Sequence, residues 1–130
     1  METELSMSAR LATGLYTIMM QHFRAERYEK AEKMAHDLLV DPSLPVLIRA
    51  RCHVVLAMGD DSAIAFEHAQ EAVNILKAAK EHYEENGSRQ GAFPDQYLDE
   101  AMRVLACAKK DLEEDAEQED AKEESLEGSE

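Results

Sequence analysis

Apolar residues recur every three to four positions along most of the chain, a period that predicts helices from end to end. From Leu5 to about Arg24 the spacing puts Leu11, Leu15, Ile18, Met19 and His22 on one side of a first helix. The pattern breaks between Ala25 and Arg27 and resumes from Tyr28 to about Val40. In the DPSLP that follows, Pro42 and Pro45 each remove an amide donor and push the preceding residue out of the α region, so the second helix ends there. Ser43 is available to cap what comes next. Residues 46–58, VLIRARCHVVLAM, are the most apolar stretch and predict the most buried helix. Gly59, Asp60 and Asp61 end it, and Asp61 or Ser62 can cap a fourth helix from Ala63 to about Glu85. Asn86 and Gly87 suit a left-handed helix end. After the polar GSRQGAF, Pro94 and Asp95 start a fifth helix that carries Tyr97, Leu98, Ala101, Met102, Leu105, Ala108 and Leu112 at helical spacing. No β-branched alternation competes, so the expected class is all-α, with about five antiparallel helices.

The apolar period stops at Leu112, and charge takes over. Residues 111–130 hold eleven acids and one base, Lys122, which leaves a net −4 on residues 1–110 out of −14 for the chain. In this segment neighbours four apart are mostly like-charged, and little is available to bury. The expected organisation is a helical domain over 1–112 and an acidic, disordered tail over 113–130. At 130 residues there is room for one domain with a modest core, not for a multidomain enzyme. With no basic patch to meet phosphates, direct nucleic-acid binding and docking to anionic membranes are both disfavoured. No apolar run approaches the roughly 20 residues of a membrane helix, and METELSMSAR lacks the apolar core of a signal peptide. The expectation is a soluble intracellular protein, cytoplasmic or nuclear, with Cys52 and Cys107 as two buried free thiols.

Alanine supplies the one internal echo. Ala31, Ala35 and Leu38 in the second helix are repeated 34 residues later, where Ala65, Ala69 and Ala72 keep the same spacing. Small side chains at such intervals let helix backbones approach closely, so each set marks a packing seam. A 34-residue period with two helices per period resembles the tetratricopeptide-repeat family. In the first unit Tyr28, Ala31, Ala35, Leu38 and Pro42 follow the family's second-helix pattern. The first-helix positions fit less closely, with Leu15, Ile18, Met19 and His22 in one unit and Arg49, Cys52, His53 and Leu56 in the other. The resemblance covers about residues 12–76. It implies two degenerate helix hairpins, with the fifth helix as a cap.

Sites of chemistry are sparse. No His-Glu-x-x-His or Glu-x-x-His occurs, and Gly14, Gly59, Gly87, Gly91 and Gly128 stand singly, so no phosphate loop is present. His22, His36, His68 and His82 read as surface or boundary residues. Adjacent positions on a helix point about 100° apart, so Cys52 and His53 do not form a dyad. The reading is therefore non-catalytic, with no cofactor and no metal site. What remains is recognition of another protein. The resemblance places Tyr16, Met20, Phe23 and Arg24 on the concave face of the first helix, with Arg49 and His53 nearby, as the expected partner-binding residues. These are residue types enriched in interface cores. The carboxylate clamp by which some family members hold chaperone C-termini needs a Lys and an Asn where Tyr16 and Met20 stand, so that clamp is missing. Two alternatives to an adaptor with an apolar groove are an acidic-tail escort for a basic client and a self-associating subunit that pairs as a homodimer through Tyr16, Met20 and Phe23.

Overall fold

Several helix boundaries are set by a particular side chain or backbone bond. The computed structural model describes residues 2–85 and 93–127, with side chains over 10–85 and 93–119. Among the described residues there are five helices and no strand: α1 (Glu2–Arg24), α2 (Tyr28–Leu39), α3 (Val46–Leu56), α4 (Ser62–Glu85) and α5 (Asp95–Glu127). The all-α class with five helices is as the sequence predicts. The proposed stop at Asn86 and Gly87 lies outside the described residues.

The break after α1 is a Schellman turn. Arg27 N–H donates to the His22 carbonyl at 2.9 Å and Glu26 N–H to the Phe23 carbonyl at 3.1 Å, with Glu26 left-handed at φ 63°. Glycine is the residue suited to that conformation. Glu26→Gly is accordingly expected to raise the unfolding free energy by about 1 kcal/mol, measured as a higher urea midpoint with unchanged helicity. Between α2 and α3 the Asp41 carboxylate accepts both the Ser43 N–H at 2.9 Å and the Ser43 hydroxyl at 2.7 Å. Those two bonds hold the Asp41 carboxyl below its ordinary pKa. They also correct the expectation for Ser43, which closes this turn; the N-cap position of α3 belongs to Pro45, with no side-chain cap. Asp61 caps α4 as predicted, its carboxylate accepting the N–H of Ala63 at 3.0 Å and of Ile64 at 3.2 Å.

Each helix packs on the next, and α1 also reaches α3. Helix α3 is buried on more than one side because it serves two clusters. Ile48, Cys52, Val55 and Leu56 join Met19, Met20, Ala31 and Ala35 in the first, whereas Ala50 and Val54 join Ala72, Val73, Leu76 and Ala101 in the second. All five echo alanines, Ala31, Ala35, Ala65, Ala69 and Ala72, are buried. A third, smaller group brings Ala57, Ala69 and Ala108 together from the end of α3, from α4 and from α5.

Three sequence expectations need correction. In α1 the buried face centres on Ala12, Met19 and Met20, while Leu11 and Ile18 are 65% and 43% exposed. Cys52 is buried as expected, but Cys107 is exposed. Helix α5 continues through the acidic segment, so Leu112 marks the end of packing and not of the helix: Ala108 is buried, Leu112 half-buried, and residues 113–119 exposed.

Candidate functional site

The six residues expected to bind a partner are mostly occupied by contacts within the chain. Met20 is buried at 6% exposure. Tyr16 is half-buried, and its hydroxyl accepts the Arg51 Nε–H at 3.1 Å. Phe23 meets Tyr28 edge to face, with ring centres 5.6 Å apart. Arg49 donates to the Asp41 carbonyl at 2.9 Å, and the His53 Nδ1 lies 3.0 Å from the His68 Nδ1. Of the six, only Arg24 is exposed. These contacts tie α1 to α2 and α3, and α3 to α4 and to the turn before it.

An open apolar surface lies instead beside the α3–α4 turn. Backbone bonds fix this turn: Ala57 N–H donates to the His53 carbonyl at 2.9 Å, Met58 N–H to Val55 at 3.1 Å and Gly59 N–H to Leu56 at 3.3 Å. Met58 is lifted outward and left 46% exposed. Opposite it runs α5, with Val104, Cys107 and Ala108 facing Ala57, Met58 and Ala65 across a cleft of about 610 Å³. The cleft exists because these facing side chains are mostly small. Its rim carries Asp60, Glu100, Asp111, Glu114 and Asp115 against a single base, Arg103. Glu100 is already paired with Arg51.

The two thiols differ sharply. Burial pushes the Cys52 thiol up to about 11, with Arg49 opposing weakly, whereas Cys107 sits exposed in the cleft wall. Only a reachable thiolate reacts with a maleimide. We expect one thiol to be alkylated rapidly in the folded protein and a second only in denaturant, and mass mapping should place the first on Cys107.

A further cluster assembles from three helices. His53 of α3 and His68 of α4 have ring centres 5.2 Å apart, and His36 of α2 meets the His68 ring at 6.4 Å. A 3.0 Å contact between two Nδ1 atoms requires one to donate and the other to accept, so the pair cannot carry two protons there. Burial, followed by repulsion from His68, Arg49 and His36, lowers the His53 pKa to about 4. His68 is lowered by burial and His36, with Glu67 and Glu71 acting the other way. A depressed histidine stabilises the fold above the unfolded value near 6.5, and that stability is lost as pH falls toward the folded value. Between pH 6.5 and about 4 we expect His53 to contribute a loss on the order of 2 kcal/mol, allowing for solvent screening, and His53→Gln to remove that part and leave the smaller share of His68. Urea midpoints taken across this range would test it. Among the described residues no group of three or more His, Cys, Asp or Glu is placed to hold a metal ion, and no helix is long and apolar enough to cross a membrane.

Neither the cleft nor the histidine cluster was visible as a motif. The strongest unused signal was charge in the wrong place: Arg49 and Arg51 inside the most apolar stretch imply partners, and both have them. Compared with known protein families, curated proteins and solved structures, the chain matches none.

Proposed function

We propose that the chain is a non-catalytic protein-interaction adaptor that seats a helix or extended segment of a larger protein in the cleft between the α3–α4 turn and α5. The observation that carries this reading is the cleft itself: an apolar floor with Met58 and Cys107 open to solvent on a fixed turn and a long helix. Binding sites are concave and apolar with a few polar groups at the edge, and this one has that form. The buried alanine seams support treating α1 with α2, and α3 with α4, as two tetratricopeptide-like hairpins capped by α5. A site of this size buries limited area, so micromolar affinity is expected.

Photo-crosslinking from benzoylphenylalanine in place of Lys110, an exposed residue of α5 beside the cleft-lining Ala108 and Asp111, tests the reading in native extract. Discrete adducts that disappear with Met58→Asp and persist with Arg24→Glu support it. Adducts lost with Arg24→Glu and indifferent to Met58→Asp would move the site back to the first helix.

A further inference from the structure

Charge around the cleft selects among protein segments. Its lining holds five acids and one base, and its floor six apolar or thiol side chains. The concavity continues in both directions. Toward the end of α5 it is lined by Asp61, Leu112, Asp115 and Glu119, with no base. Across the turn it shares Met58, Gly59 and Asp60 with a second hollow beside Tyr28, where Glu26, Glu29 and Glu32 outnumber Arg27 and Lys30.

Helix α5 is electrostatically strained along this track. Asp111, Glu113, Glu114, Asp115, Glu117 and Glu119 follow one another with no intervening base, and none of them has an ion-pair partner among the described residues. Asp111 with Asp115, Glu113 with Glu117 and Asp115 with Glu119 are like-charged pairs four apart, each costing a few tenths of a kcal/mol. A cationic segment bound along the track relieves the Asp111–Asp115 and Asp115–Glu119 pairs, whose members line it.

We propose that the cleft receives a basic amphipathic segment of another protein, its apolar side chains on the Met58 and Cys107 floor and its Lys or Arg residues against the acidic rim. This rests on the adaptor reading and names the class of partner. From Val104 to Glu119 the track is about 22 Å long at helical rise, which matches an occupant helix of some four turns. The same charge argues against other occupants: a second copy at net −14 brings its own acidic rim, and nucleic acid or an anionic bilayer is repelled.

The test uses the full chain and three 18-residue peptides of one helical pattern: Leu with Lys, Leu with Glu, and Ser with Lys. Binding is followed by anisotropy of the labelled peptide and by the alkylation rate of Cys107. The expected result is micromolar binding of the Leu/Lys peptide, with Cys107 alkylation slowed at least tenfold. Binding should weaken at least tenfold in Asp111→Lys/Glu114→Lys/Asp115→Lys, whose helicity is checked by circular dichroism, and should be lost after Cys107 is blocked with phenylmaleimide. Equal protection by Leu/Glu leaves the cleft as a docking site and overturns the basic partner. Equally tight binding of Ser/Lys without protection of Cys107 overturns the proposal by assigning binding to the acidic helix alone. Protection by no peptide overturns both readings.

Discussion

Arg51→Ala is expected to lower the unfolding free energy by about 3 kcal/mol, a large share of the roughly 5–15 kcal/mol that stabilises a domain of this kind. The Arg51 side chain is 11% exposed and reaches three partners on two other helices. Its Nε donates to the Tyr16 hydroxyl of α1 at 3.1 Å, Nη1 pairs with Glu100 of α5, and the guanidinium carbon lies 5.5 Å from the centre of the Tyr97 ring. Burial disfavours its charge, but the Tyr16 and Glu100 contacts outweigh that, and the Arg51 pKa is raised. Removing the guanidinium leaves the Tyr16 hydroxyl and Glu100 without their donor and takes away the link from α3 to both ends of the helical order. Graded controls separate the terms: Tyr16→Phe should cost about 1 kcal/mol, and Arg51→Lys should fall between the two because an ammonium lacks the planar fork. Urea denaturation followed by circular dichroism gives all three values. A loss below 1 kcal/mol for Arg51→Ala would mean that the three contacts are not held in solution.

What the sequence revealed followed from short-range rules. Helix breaks came from Pro42 and Pro45, the α4 cap from Asp61, and the packing seams from alanine spacing, and each depends on residues within a few positions of one another. Long-range placement was less legible. Leu11 and Ile18 are as apolar as Met19, yet they are exposed because the positions of α2 and α3, not the width of the apolar arc, decide which side of α1 is covered. Met102 and Cys107 are exposed for a related reason. The main packing partner of α5 is α4 alone, so only a narrow stripe through Leu98, Ala101 and Ala108 is buried. The cleft is a gap left where small side chains from residues 57–65 and 104–108 face each other, and a gap has no periodic signature. The His53 and His68 pair depends on the register of α3 against α4, which spacing along the chain does not specify.

Ala72→Leu tests whether the alanine seam is a true close approach, and we expect it to cost about 3 kcal/mol, the upper part of the range for overpacked cores. Ala72 of α4 is 0% exposed and shares one cluster with Ala50 of α3 and Ala101 of α5, both also 0% exposed. All three helices contribute a fully buried alanine to this cluster, so three added carbons in a close-packed interior require a backbone shift or strained rotamers. The same substitution six residues on at Ala78, an exposed position of α4, should change stability by no more than about 0.5 kcal/mol, because leucine is nearly as good a helix former as alanine. On a thermal melt the contrast should appear as a midpoint lowered by roughly 10 °C for Ala72→Leu and almost unmoved for Ala78→Leu. Equal midpoints would mean that α3, α4 and α5 stand far enough apart at this level to admit a leucine. A large difference would instead show close backbone approach at Ala72 itself. Because the matching position of the first unit is the buried Leu38, the result speaks to the α3–α4–α5 seam and shows where the two units differ.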